Sequence, residues 1–165
     1  MMVAPENYQD KEFEIPKKII EEAGHQVIVG SKYKGKATGK LGGSVEVEVT
    51  LREVVVDQYD GIIFVGGPGA ACYVDDDEAH QLVRLASSIG KAVGAICIAP
   101  TILANAGILS GVKISIFPSE EDNARSKGAE IISADVTVDR NIVTGSGPYA
   151  AEEFGHRFLE ALNNY

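Results

Sequence analysis

One stretch of the chain holds the ingredients of nucleophilic chemistry: Val93-Gly94-Ala95-Ile96-Cys97-Ile98-Ala99-Pro100. Val93, Ala95 and Ile96 are small or β-branched and uncharged, which suits a buried parallel strand. Pro100 suits a first helical turn, where its missing N–H leaves no partner unmet, and Thr101 to Gly107 reads as a short helix with a glycine stop. Cys97 therefore falls in a sharp strand-to-helix turn, the arrangement of a nucleophile elbow with cysteine in place of serine. Backbone amides and a helix N-terminus beside the sulfur would lower its pKa and favour the thiolate. The alternative is an inert cysteine packed in a core strand.

A second chemical feature is Gly66-Gly67-Pro68-Gly69-Ala70, which follows the apolar run Ile62-Ile63-Phe64-Val65. Glycines at a strand's carboxyl end let backbone approach a ligand or another segment closely. The stretch lacks the Gly-Lys-Ser/Thr ending of a Walker loop and the glycine spacing of a dinucleotide fold, so no nucleotide cofactor is expected. Cys72 follows this loop; a packed structural cysteine is the favoured reading, and a second thiol for the same pocket the alternative. His25, His80 and His156 fall at expected helix ends or faces, with His80 on the surface, and none is expected beside Cys97. The two cysteines have no metal-ligand spacing, so neither a zinc site nor a disulfide scaffold is expected.

These residues need a scaffold. Met2–Pro5 reads as the end of a first strand, 6–11 as a polar loop, and Glu12–Ala23 as a helix with Pro16 near its start. Gln26–Gly30 reads as a strand. Val45-Glu46-Val47-Glu48-Val49 alternates with period two, giving an apolar and a solvated acidic face, and pairs with Lys32-Tyr33-Lys34 as an edge hairpin. Strands follow at 59–65, 93–97, 112–117, 130–132, 136–138 and 142–144. Helices are expected at 75–89, 120–127 and, from the spacing of Ala151, Phe154, Phe158 and Leu162, at the end of the chain. The alternation implies one α/β domain over residues 1–165, with a mostly parallel sheet, helices on both faces and a small hairpin extension. Sites in such sheets lie beyond the strands' carboxyl ends. The segment bearing Glu12, the loop Gly66-Gly67 and the Cys97 turn all meet that condition.

Composition narrows the partners. Lys and Arg number 15 against 24 Asp and Glu, a net charge of −9, with no marked basic run, so neither nucleic acid nor an anionic membrane is an expected partner. Hydrophobic residues make up 45%, which suits a packed globular chain rather than a disordered one. No apolar run has membrane-spanning length and no signal peptide is seen, so a cytoplasmic protein is expected.

Together, Glu12 with Pro16, Ile63–Ala70, Ala95–Pro100 and Gly147-Pro148 before the last helix resemble the ThiJ/PfpI superfamily, over essentially the whole chain. The resemblance implies a flavodoxin-like three-layer sandwich of the class I glutamine amidotransferase type. It implies that Cys97 is the reactive cysteine and that Glu12 is the acid contacting its sulfur. It also implies that the amides of Gly67 and Ile98 are oxyanion-hole donors, and that the protein forms a homodimer or higher homo-oligomer. Two departures stand out. Ile98 occupies the position where protease-like members carry histidine, and Phe117 the position where the deglycase branch carries one. Ser146 stands where some relatives carry arginine.

The reading that follows is a cysteine-dependent enzyme on small reactive carbonyls, of glyoxalase III or deglycase type. Its substrate would be an aldehyde or a glycated molecule, with no cofactor and no metal. A stress-sensing role through oxidation of Cys97 is the alternative. Intracellular peptidase activity is disfavoured, because amide cleavage needs a base and an acid that the absent histidine would supply.

Overall fold

The computed structural model describes residues 1–164. In chain order it forms β1 (Glu6–Tyr8), α1 (Asp10–Glu22), β2 (Gly30–Ser31), β3 (Gly35–Gly39), β4 (Ser44–Val47), β5 (Val49–Thr50), β6 (Gly61–Phe64) and α2 (Asp77–Ser88). There follow β7 (Ala92–Ile96), α3 (Pro100–Asn105), β8 (Lys113–Ile114), α4 (Glu121–Ser126), β9 (Glu130–Ile131), β10 (Val136–Asp139), β11 (Ile142–Gly145) and α5 (Ala151–Asn163).

The centre of the sheet is β7, buried at every residue. It pairs in parallel with β6 on one side and β11 on the other, and β10 folds back antiparallel on β11. Helix α5 packs on β7 and β11 and against α1, while α2 and α3 pack on the other face of β6 and β7. Gly94 lets α5 come close, since a Cβ there would sit 2.8 Å from the Phe158 ring. This is a flavodoxin-like α/β architecture, with helices on both faces of a mostly parallel sheet.

Beyond β6, Met2 bridges to both Phe64 and Gly30, and its amide donates to Ile63 O at 2.7 Å. Val65 donates back to Met2 O at 3.0 Å and Val3 to Gly30 O at 2.9 Å. The expected first strand thus has its place in the sheet, tying β6 to β2 and β5, although only Met2 forms a ladder bridge.

Several local expectations change. The polar segment 6–11 is not a loop. It contains β1, which pairs in parallel with β3, and the first turn of α1, capped by Gln9. Asn7 adopts φ 56°, and the register shifts between Glu6 and Tyr8, so polarity concealed a backbone-driven pairing. The hairpin partner of β4 is Gly35–Gly39, not Lys32–Lys34. Glu48 is not simply solvated, because its carboxylate accepts the Val29 amide at 3.0 Å. Most of Gln26–Gly30 lies outside a regular ladder, and 112–117 is regular only at Lys113–Ile114. There the Ser115 amide turns to Thr144 Oγ1 and the Phe117 amide to Cys97 O, both at 2.9 Å. His80 is buried, not surface, with Nε2 2.8 Å from Val74 O. Among the described residues, no helix is long and apolar enough to cross a membrane.

Candidate active site

Strand β7 delivers Cys97 at its carboxyl end with φ 64°, in the left-handed region that side chains other than glycine seldom adopt. The surroundings hold that conformation in place. The Cys97 amide donates to Gly145 O, and Cys97 O accepts from the Phe117 amide, each at 2.9 Å. Cys97 is buried, with 8% of the residue exposed.

Glu12, in the first turn of α1, is fully buried. Neither carboxyl oxygen meets a donor at full hydrogen-bond geometry, which is rare for a buried acid. Burial pushes its pKa up to about 7, and the nearby Cys97 thiol, the Gly66 amide and the Lys40 ammonium pull only partly the other way. Gly66 explains how the two groups meet. A Cβ built there would overlap Glu12 Oε2 and stand 2.6 Å from both Cys97 Cβ and Ile96 O. The acid and the cysteine therefore flank a point that only glycine leaves empty. Because Ile96 O is backbone and cannot swing away, Gly66→Ala is expected to cost about 1–3 kcal/mol of stability and to push Glu12 from the sulfur. Chemical denaturation and the alkylation rate of Cys97 would measure the two effects.

The sulfur's ionisation differs from the sequence expectation. Burial and the neighbouring Glu12 charge push the Cys97 thiol up to about 12, against the pull of the Gly67 and Ile98 amides. Helix α3 begins only at Pro100, after an intervening turn, so its dipole does not dominate at the sulfur. Two anions cannot share so dry a space. Between these limits the Glu12–Cys97 pair holds one negative charge and one proton, and the pair titrates as a unit. The Gly67 and Ile98 amides are the backbone donors aimed at that charge.

A scan of known families gives a match to the DJ-1/PfpI family across residues 1–161. The chain belongs to the DJ-1/PfpI family. It is 34% identical to a protein of Thermococcus kodakarensis named a deglycase, over 98% of each chain. It is 37% identical to an uncharacterized protein of Methanocaldococcus jannaschii, over 98% of this chain and 80% of the other. The crystal structure of a ThiJ/PfpI domain protein from Brachyspira murdochii superposes with a TM-score of 0.97 at 34% identity, covering 99% of this chain and 95% of that one.

Among the described residues of this DJ-1/PfpI chain, no histidine supports the cysteine. His80 is spent on Val74 O, and His25 lines a hollow of about 280 Å³ with Tyr59 and Phe158. That hollow opens at the amino ends of β6 and its neighbours, away from the sulfur. His156 lies exposed on α5. Cys72 is half-buried, with Lys32 and Asp76 as its charged neighbours, and shares neither with Cys97. Another hollow, of about 210 Å³, is lined by Gln9, Lys11, Leu41, Pro148 and Tyr149. The Gln9 amide donates to Gly66 O at 2.9 Å and so joins this hollow to the site. Sequence reasoning missed Gln9 and Asp10. They sit in a segment that reads as an unstructured polar stretch, and no spacing marks them out.

Proposed function

We propose that this DJ-1/PfpI protein transforms small reactive carbonyls, with Cys97 as nucleophile and Glu12 as acid and base. The observation that carries the reading is the fully buried, unpartnered Glu12 carboxyl beside Cys97. The deglycase name of the Thermococcus relative supports the same class of substrate.

For a 2-oxoaldehyde the steps balance as follows. The sulfur, its proton held by Glu12, bonds to the aldehyde carbon, and the carbonyl electron pair moves onto oxygen. The Gly67 and Ile98 amides receive that oxyanion, and Glu12 then protonates it to a hemithioacetal. The Glu12 carboxylate next removes the C1 proton and returns it to C2, while the hydroxyl proton passes between the two oxygens. The product is a 2-hydroxyacyl thioester. Water cleaves it, releasing the hydroxy acid and restoring the thiol. One carboxyl with a pKa near neutrality serves each proton transfer, so histidine is not required. Peptide cleavage would need an acid placed on a leaving amine, and among the described residues no second titratable side chain stands at the sulfur.

Lactate formation from methylglyoxal by the purified protein tests the assignment. Nucleophilic attack requires that the pair has lost one proton. The rate is therefore expected to rise with pH through about 7, the value to which Glu12 is raised, and to level off above it. A flat profile from pH 5 to 9, or no lactate at all, would refute the reading. If lactate is absent and peroxide instead adds two oxygens at Cys97, the sensor role is the better assignment.

A further inference from the structure

The turn between β3 and β4 is fastened to the active site. Asp10 is 5% exposed, and its two carboxyl oxygens accept the amides of Leu41 and Gly43, each at 2.7 Å. Bonds to a carboxylate are the stronger kind. A Cβ on Gly39 or Gly43 would run into the same carboxylate. The Lys40 amide donates to Tyr8 O, and Gly39 to Gly43 O, each at 2.8 Å. Lys40 is thus held by α1 on one side of the turn and by β1 on the other. Its ammonium is near enough to Glu12 to favour that group's charged form.

The hollow linked to the site through Gln9 has Lys11 in its wall, together with Leu41 of the same turn, Gln9 and Pro148. No carboxylate among the described residues lines it. Asp10 is occupied by two amides and Glu12 is buried. Glu14 is the remaining acid by the turn, its Oε1 beside Gly43. In a chain of net charge −9, Lys17, Lys18, Lys32 and Lys34 all pair with carboxylates. Lys11 and Lys40, both exposed, have no such partner among the described residues, as Lys36, Lys91, Lys113 and Lys127 also do not, but only these two lie by the site. An unneutralised cation in the wall of the hollow, with a second on the turn whose Leu41 also lines it, attracts negative charge.

We propose that Lys40 and Lys11 form an anion subsite beside Cys97, so that the carbonyl compounds accepted there carry a carboxylate or phosphate group. The inference rests on the reading that Cys97 attacks a carbonyl. It favours a 2-oxoaldehyde bearing a phosphate over methylglyoxal.

A labelling experiment separates the subsite from turnover. Cys97 is reacted with 2-sulfonatoethyl methanethiosulfonate or with its 2-trimethylammonioethyl counterpart, and its own peptide is followed by mass. In both reagents the sulfur attacks the sulfenyl sulfur, expels methanesulfinate and forms a mixed disulfide; only the charge of the tail differs. The ratio of anionic to cationic rates, normalised to 2-mercaptoethanol, is expected to exceed one by about tenfold at low salt and to fall as salt is added. Replacing both lysines, Lys11→Met with Lys40→Met, should bring it to about one, whereas Lys40→Arg should preserve it. The unimpaired cationic rate in the double variant reports an intact site. Protection of Cys97 by inorganic phosphate supports a phosphorylated substrate, and protection by acetate a carboxylate one. A normalised ratio at or below one in the parent protein, or one unchanged in the double variant, overturns the subsite. Failure of the carbonyl reading shows differently, as labelled Cys97 with no lactate.

Discussion

Cys97→Ala is expected to lower carbonyl turnover by at least about a thousandfold while the protein remains folded. The loss is large because no other group at the site can form the carbon–sulfur bond. Among the described residues Glu12 is the only titratable side chain at the sulfur, and a buried carboxyl without the thiol has no nucleophile to serve. Cys72 lies in different surroundings, between Lys32 and Asp76, and cannot substitute. The fold should survive because alanine only trims the side chain. The hydrogen bonds that hold φ at 64° come from the backbone of Gly145 and Phe117 and remain. Lactate release read by proton NMR, with circular dichroism on the same sample, checks both halves. Turnover within tenfold of the parent would place the chemistry elsewhere.

Glu12→Gln should lower turnover at pH 7 by about a hundredfold to a thousandfold, the usual contribution of a positioned acid and base. The amide keeps the shape of the side chain and loses its proton chemistry. It also changes the ionisation of the sulfur. In the parent, the first proton leaves the pair near neutrality, and the remaining charge is shared between oxygen and sulfur. With glutamine, the thiol must ionise alone, and burial still opposes it. The pH at which Cys97 becomes reactive towards iodoacetamide should therefore move upward from about 7 by a unit or more. An unmoved profile would mean that Glu12 is not the partner of the sulfur.

The two ends of this site differ in how far the sequence discloses them. Cys97, Gly66 and Gly67 are legible because each stands at the carboxyl end of an apolar strand, and strand topology alone brings those ends together. The resemblance added Glu12, which no periodicity would have singled out. The anchoring of the hairpin was not legible. Asp10 looks like any polar residue of a loop, and only the folded chain shows it holding Leu41 and Gly43. His80 misleads for a related reason: it lies beside an apolar stripe, and its burial depends on a distant-looking acceptor, Val74 O. The thiol's ionisation is not legible because sequence places the helix start at Pro100 correctly but does not reveal how deeply the sulfur lies.

The Glu12 carboxyl that equips the site also sets the thermal robustness of the whole fold. In the unfolded chain this acid ionises near its usual 4.5, while in the folded protein it does so at about 7. The native state therefore grips its proton more tightly. The advantage is complete below pH 4.5 and is lost as pH rises through 7, by about 3 kcal/mol in all. That is a sizeable share of the 5–15 kcal/mol that holds a domain of this size together. The Glu12→Gln protein, though a slower catalyst, should accordingly melt at a higher temperature than its parent in alkaline buffer and lose that lead near pH 4. The residue at this position thus trades endurance for reactivity.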